Sequence, residues 1–500
     1  MVRRIARILL TLAALAAAGF VVLVLIGLWG RYEQNIAALD FRHRIYKSRN
    51  VDARTPLETE PSQQARPLQQ PRKLVGAGAV ENANYGMSVS MSADGHTLVV
   101  GGPGPNNADR DRSPLVGPAG AAWVFSFRGG GWIDQGKLVG ATSQQGGALW
   151  SQGASVALSA DGKTAIVGGP SDDGATGAAW VFTFDGEGWT QQGKKLVGSS
   201  PYKAPEPRLS LGQGVSVALS ADGNTAILGG WRSEGAWIFT RNGDAWAQQG
   251  DKLVGTGATG SARQGMAVAL SADGNTAIVG GPADNSNIGA AWIFTRTGGV
   301  WTQQGKKLVG SAAAGRARQG TSVALSADGN TAVLGGPDDP SDIARPFGVG
   351  PSGAAWVFTR TGGVWMQEGQ KLVASATAGT ARQGTSVALS ADGNIAVLGG
   401  LANDGGIGAV TVFTRTAGQW AQSKDLADNG AVVRAASSVG LSADGSVLVI
   451  GAANDNGGNG AAWVFTPKRS GLDEHADYIR CREASDEMSP CSMSLSLAGR

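Results

Sequence analysis

The chain has 500 residues, 78 of them glycine, with 42 Lys and Arg against 39 Asp and Glu for a formal net charge of +3. With 42% hydrophobic and 16% charged residues it is too apolar for bulk disorder, and its glycines lack the three-residue period of collagen. Two cysteines rule out a disulfide-built fold or an all-cysteine zinc site, and three widely spaced histidines argue against a histidine metal cluster.

The amino-terminal region differs from the rest. Residues 1–72 hold 11 Lys and Arg against 5 Asp and Glu, leaving 31 against 34 in the remainder, so no basic patch suited to nucleic acid is expected there. After a short basic segment, 1–7, Ile8 to Trp29 runs for 22 residues without a charge. At about 1.5 Å rise per residue this run spans a bilayer core of about 30 Å. It lacks the polar stripe of a globular surface helix. Arg3, Arg4 and Arg7 precede it, and Trp29 and Tyr32 stand where interfacial aromatics belong. The sequence therefore predicts a transmembrane signal-anchor helix over 8–29. A cleavable signal peptide is the competing reading, but its apolar region is shorter, about 7–15 residues. Arg31, Arg42, Arg44, Lys47 and Arg49 follow closely, so positive-inside counting favours neither side. The composition of the body places it in the periplasm or cell exterior. Residues 30–67 read as a juxtamembrane segment and polar, proline-bearing linker.

Residues 68–465 form a tandem array. Ser-Ala-Asp-Gly recurs seven times, with its aspartate at Asp94, Asp161, Asp222, Asp273, Asp328, Asp392 and Asp444, a mean spacing of about 58 residues. One unit reads Gln319 to Pro337, then a loop, then Gly353 to Arg360, then a Trp…Gln…Lys-Leu-Val segment. Two short apolar strands flank an Asp-Gly turn, a strong hairpin signal because glycine accepts positive φ. Ala-Trp-Val-Phe-Thr supplies a third strand. After Ala462-Trp463-Val464-Phe465 no fourth strand follows, yet Leu68–Gly76 aligns without a gap to the fourth-strand segment Thr190–Gly198. The chain's beginning thus completes its last blade, which requires a closed ring. The predicted fold is all-β, a seven-bladed propeller closed by an amino-terminal strand.

Tyr85-Gly86-Met87-Ser88-Val89 followed by Val99-Val100-Gly101-Gly102-Pro103 resembles the Phe-Gly…Gly-Ala-Pro repeat of integrin α-subunit propellers and their bacterial relatives. Gln-Gly replaces Phe-Gly in units two to six. The resemblance covers about residues 73–465 and implies the fold. Some family blades bind calcium in an Asp-rich hairpin loop. Here that loop offers one carboxylate per blade, whereas calcium takes six to eight oxygens. The sequence reading is that each Asp orders its own turn, with no cofactor or metal expected. Asn454–Asn459 is a looser oxygen-rich loop.

The Ser-Ala-Asp-Gly-Asn-Thr turn is also similar to the aspartate box of sialidase-like propellers, a likeness of a turn and not of an active site. No carboxylate pair, tyrosine-arginine cluster, nucleophile elbow, Walker loop or zinc-binding helix is marked, so the protein reads as a non-enzyme.

Subtracting the repeat leaves candidates for function. Of 15 tryptophans, Trp123, Trp180, Trp237, Trp292, Trp356 and Trp463 share a third-strand position, and Trp132, Trp189, Trp246, Trp301, Trp365 and Trp420 share a fourth-strand one. Both sets are expected to pack the ring. Outside them stand Trp150 and Tyr202 in inter-blade connections and Trp231 in a short loop of blade three. These connections and loops emerge on one face, which in integrins meets ligands and the partner subunit, so the resemblance implies a binding surface. The alternative is that the rings cap their own loops. The blade-five loop adds Asp338, Asp339, Asp342, Arg345 and Phe347. Arg263, Arg318 and Arg382 recur in Ala-Arg-Gln-Gly, which favours bonding between loops. In the polar tail, 466–500, Cys481 and Cys491 could pair outside the cytoplasm or remain free thiols.

The expectation is a membrane-anchored extracytoplasmic propeller that binds a protein or glycan. An envelope scaffold and a glycan-active hydrolase are the alternatives.

Overall fold

A computed structural model describes residues 72–104, 120–141, 151–199, 212–340, 351–374, 382–401, 409–423 and 436–466. The chain divides into units 1–64 and 65–500, and every described residue belongs to the second. The 8–29 span and Cys481 and Cys491 lie outside the described residues. Among the described residues no helix is long and apolar enough to cross a membrane.

The second unit is built from seven four-stranded antiparallel sheets. Blade five shows the pattern, with strands Ser322–Leu325, Thr331–Gly336, Ala354–Thr361 and Val364–Gln367 laid side by side in chain order. The seventh sheet departs from chain order as the permuted repeat requires. Arg72–Leu74 is its outer strand, pairing Arg72 with Val464, Lys73 with Trp463 and Leu74 with Ala462. An edge left open by the last repeat is thereby covered by the start of the array.

Burial explains why the strand sequences differ by position. Second strands such as Thr331–Gly336 are buried at every residue, because both of their faces lie against neighbouring blades. Their runs are continuously apolar for the same reason. Outer strands such as Val364–Gln367 alternate exposed and half-buried residues, as a sheet edge with one wet face does. The core is correspondingly divided among the blade interfaces. One cluster joins Val99 and Val124 of blade one to Val156, Trp180 and Phe182 of blade two. Another joins Val449 and Val464 of blade seven to Leu98 and Trp123 of blade one, so packing runs round the ring without a break.

The third-strand tryptophans are the largest pieces of this core. Trp180, Trp237, Trp292 and Trp356 are fully buried, and Trp123 nearly so. Each indole N–H donates to a carbonyl of the preceding connection, Trp356 to Ser311 at 2.8 Å and Trp292 to Thr256 at 2.8 Å. Each ring lies between two glycines. A Cβ on Gly310 would come within 2.1 Å of Trp356, and one on Gly336 within 2.6 Å. The Gln that replaces Phe in the repeat holds this arrangement. Gln319 Oε1 accepts the Gly310 N–H at 2.6 Å, and its Nε2 donates to the Gly310 carbonyl at 3.0 Å. Blade one retains an aromatic here, and Tyr85 packs edge-on against Trp123 at 5.1 Å. Burial pushes the Tyr85 phenol well above its usual range.

Fourth-strand tryptophans pin blade to blade by a different device. Trp365 Nε1 donates to Gln304 Oε1 of blade four at 2.9 Å, and Arg360, stacked 5.4 Å from that indole, donates to the same oxygen at 3.1 Å. The set repeats at Arg241/Trp246 with Gln192, Arg296/Trp301 with Gln249, and Arg415/Trp420 with Glu368. In blades one and two Phe127 and Phe184 stand in place of the arginine and pack on Trp132 and Trp189 at 5.5 and 5.6 Å. Both tryptophan sets therefore serve the ring.

The Ser-Ala-Asp-Gly turns close the end of the molecule opposite the loop face. In every blade the Ser hydroxyl donates to the Asp carboxylate and also accepts the N–H of the residue five positions beyond the serine. The Asp accepts a further N–H two residues on, at 2.9–3.0 Å. The carboxylates thus order their own turns. Between these turns runs a ring of backbone bonds. Ala93 donates to Ala160, Ala160 to Ala221, Ala221 to Ala272, Ala272 to Ala327, Ala327 to Ala391, Ala391 to Ala443, and Ala443 back to Ala93, each at 2.8–2.9 Å.

Candidate functional site

The loop face is assembled from the second-to-third-strand loop of each blade and the connection entering the next. Isolated parallel bridges show the two running together, Gly289 with Gln319, Gly353 with Gln383 and Gly177 with Gln213. The last of the seven junctions pairs Tyr85 with Gly460. Residues in these segments are therefore neighbours in space although they are remote in sequence.

Trp231 lies on this face in the turn between Thr225–Gly230 and Gly235–Asn242. It is half-buried, with the Arg232 guanidinium 4.6 Å and the Arg263 guanidinium 5.2 Å from its ring centre. Gly212, at φ +66° in the connection entering the blade, leaves no room for a side chain. A Cβ there would sit 2.8 Å from Trp231 Nε1. The ring is thus gripped by its own loop and by both adjoining connections. Trp150, Tyr202, Asp342, Arg345 and Phe347 lie outside the described residues.

The two remaining aspartates separate sharply. Asp338 is half-buried on the face and bridges Arg318, at 3.3 Å, to Arg382 of the next connection. This agrees with the expectation that the recurring arginines bond between loops. Asp339 does not project from the face. It is fully buried and pairs with Lys371 at 2.9 Å, and its other oxygen accepts the Ala314 N–H at 3.1 Å. The expectation that Asp339 is available to a ligand is corrected by its membership of a repeated set. Lys195 with Asp172, Lys307 with Asp284 at 2.6 Å and Lys73 with Asp455 at 2.5 Å do the same work in blades two, four and seven. Each ties a Lys-Leu segment, which follows the fourth strand in blades two, four and five and lies in the amino-terminal strand in blade seven, to its blade's loop. In blade three the loop is too short to carry the aspartate. Lys252 there donates to the Ser233 carbonyl at 2.6 Å, and burial lowers its pKa against the raising influence of Glu234. Asp455 of the oxygen-rich loop is thus paired with Lys73.

Next to Arg263, which stacks on Trp231, the face sinks into a depression of about 310 Å³ between the connections entering blades four and five and the loops of those two blades. Arg263, Arg316, Arg318, Asn287 and Asp338 supply its polar wall. Sequence reading found Arg263 and Arg318 by their recurrence but passed over Arg316, which has no counterpart in the other Ala-Arg-Gln-Gly connections. Among the described residues no group of three or more His, Cys, Asp and Glu side chains is placed to hold a metal ion.

No family model and no curated protein matches the chain. Solved structures show a distant likeness. The β-propeller domain of Cps50 (Swd1) from Myceliophteria thermophila is 10% identical, with 80% of this chain and 99% of that one covered and a TM-score of 0.48. Hydrazine synthase of Kuenenia stuttgartiensis is 14% identical over 79% of this chain and 99% of that one, with a TM-score of 0.47. A 6-phosphogluconolactonase candidate from Bacteroides uniformis ATCC 8492 is 13% identical over 68% of this chain and 84% of that one, with a TM-score of 0.45. The seven-bladed ring rests on the strand pairing described above and not on these likenesses.

Proposed function

We propose that this protein is a non-enzymatic binding module of the integrin α-like, Phe-Gly…Gly-Ala-Pro type, anchored through 8–29 with its propeller in the periplasm or cell exterior. Its partner is a protein or glycan of the envelope, taken on the loop face of blades two to five. The observation that carries this reading is the contrast between repeated and singular groups. Repeated tryptophans, Ser-Ala-Asp-Gly aspartates and Lys–Asp pairs are committed to the ring, while Trp231 and Arg232 stand on the loop face outside the repeat, beside the recurring Arg263. Half-buried aromatics held beside arginines are the composition typical of binding hot spots.

Replacing Trp150, Tyr202 and Trp231 together with Ala is expected to weaken partner capture from intact envelopes while leaving the thermal unfolding of the ring in place. Unchanged capture would place the binding surface elsewhere. Exposure of the propeller to added protease after removal of the outer barrier tests the proposed location, and protection under that treatment would put it in the cytoplasm.

A further inference from the structure

The depression next to Arg263 gathers guanidinium groups from successive connections. Arg263 arrives from the connection entering blade four, and Arg316 and Arg318 from the one entering blade five. Arg263 and Arg318 both follow Ala in Ala-Arg-Gln-Gly and share a left-handed backbone, φ 56° and 57°. The repeat therefore delivers them at equivalent places one blade apart, on either side of the blade-four loop that carries Asn287.

Nearby carboxylates neutralise this cluster only in part. Asp338 is shared between Arg318 and Arg382. Glu234 accepts from the Ser261 hydroxyl and from the Gln264 N–H at 3.1 Å, so its oxygens hold the backbone of the Arg263 connection. Asp284 is buried with Lys307. Among the described residues no carboxylate lies within ion-pair distance of Arg263 or Arg316, and both side chains are exposed. Arg263 is nonetheless positioned, because its guanidinium rests near the Trp231 ring.

We infer that this depression binds the carboxylate of an acidic sugar, a hexuronate unit of an anionic polysaccharide. Guanidinium groups present paired donors in a plane that matches a carboxylate. The Asn287 amide offers both a donor and an acceptor for ring hydroxyls. A volume of about 310 Å³ lies at the small end of ligand pockets, suited to one sugar unit. Pro282 and Ala283 are the apolar residues of the wall, too little to anchor a large peptide side chain. The inference rests on the proposed loop-face reading and narrows it from protein or glycan to an acidic glycan.

Calorimetric titration of the full chain with trigalacturonate, its methyl ester, poly-L-glutamate and inorganic phosphate tests the assignment. Trigalacturonate is expected to bind, and the neutral ester to bind at least about tenfold more weakly, as loss of a charge-assisted hydrogen bond implies. Raising the salt concentration should weaken the uronate interaction, since the site is open to solvent. Arg263→Ala and Arg316→Ala are each expected to weaken it by about tenfold, and Arg316→Lys by less, because lysine keeps the charge but not the planar fork. Equal binding of acid and ester, or an Arg263→Ala/Arg316→Ala variant that binds like the wild type, would overturn the proposal. So would tighter binding of poly-L-glutamate, which points to a peptide, or of phosphate. Envelope capture by the same variants separates the two levels of the argument. If capture depends on Trp231 but not on Arg263 and Arg316, the loop face stands and the uronate pocket falls. If capture depends on none of them, both fall.

Discussion

Blades five and six are nearly the same sequence, yet they solve one packing problem in opposite ways. Blade five buries Trp356 between Gly310 and Gly336, with Gln319 bonded to both sides of the Gly310 peptide. In blade six the matching position is Thr411, and the residue corresponding to Gly310 is Ala374. The matching Gln383 turns its amide onto the Thr411 hydroxyl at 2.6 Å. The large ring and the missing side chain thus change together. The difference teaches that the tryptophan, the glycine of the preceding blade and the glutamine form one structural unit.

The largest expected effect breaks that unit in blade five alone. Trp356→Ala is expected to cost about 3–5 kcal/mol, as large-to-small core changes do. Gly310→Ala should destabilise by about 3 kcal/mol through overpacking against the ring. Ala374→Gly, the reverse change in blade six, should cost under about 1 kcal/mol, mainly in backbone freedom. Urea unfolding midpoints measure all three, and equal losses at positions 310 and 374 would contradict the linkage.

Blade five also carries the most deeply buried of the lysine–aspartate pairs, with side-chain exposures of 4% for Lys371 and 0% for Asp339. Removing one partner strands the other charge, so Lys371→Ala should cost about 3 kcal/mol. At the ring closure Lys73 is 40% exposed, and Lys73→Ala should cost under about 1 kcal/mol. A loss at Lys73 as large as that at Lys371 would show that burial does not set the difference.

A gentler test converts blade six toward blade five. Thr411→Trp alone should destabilise because Ala374 occupies the space its ring needs. Adding Ala374→Gly should recover part of that loss, a coupling of about 1–2 kcal/mol for residues in contact. Strict additivity in the double variant would dissolve the proposed unit.

The smallest effect is one the two blades share. Burial pushes the carboxyl groups of Asp328 and Asp392 upward, but the Ser hydroxyl, the backbone N–H and the Asn side chain outweigh it, and both lie below the ordinary carboxylate range. Asp94, Asp222, Asp273 and Asp444 are lowered in the same direction. A lowered native value means stability that is complete above the unfolded pKa, about 3.9, and lost as pH falls through the native one. Unfolding midpoints should therefore be level near neutrality and decline below about pH 4. Asp328→Asn and Asp392→Asn should each make that decline shallower by a similar amount.

Much of the ring was legible because its signals are local and repeated. Asp-Gly turns, apolar second strands and the displaced fourth-strand segment at 68–76 needed no distant partner to be recognised. Asp339 was misread because its partner, Lys371, is 32 residues away and its counterparts sit in loops of unequal length, so the repeat hides in alignment. The Arg–Trp clamp of the outer strands was missed for a related reason. Its acceptor, Gln304 for Arg360 and Trp365, belongs to the preceding blade and looks like an ordinary polar residue. On the candidate face the recurrence of Arg263 and Arg318 was visible, but the concavity between them depends on how two connections approach in space.

The circle of alanine amides at the opposite end constrains the whole molecule. All seven bonds run in the same rotational sense, from each Ala N–H to the Ala carbonyl of the following blade. Peptide dipoles placed head to tail on a closed loop cancel by symmetry, unlike those of a helix, which add along its axis. That end therefore offers an approaching anion no net electrostatic direction from these amides, and it offers a strand no unsatisfied donors or acceptors from them. The bond from Ala443 to Ala93 joins residues 350 positions apart and is the seam of the circle. Hydrogen exchange at Ala443 thus reports directly on opening of the ring, and faster exchange there than at Ala272 would locate where the circle first parts.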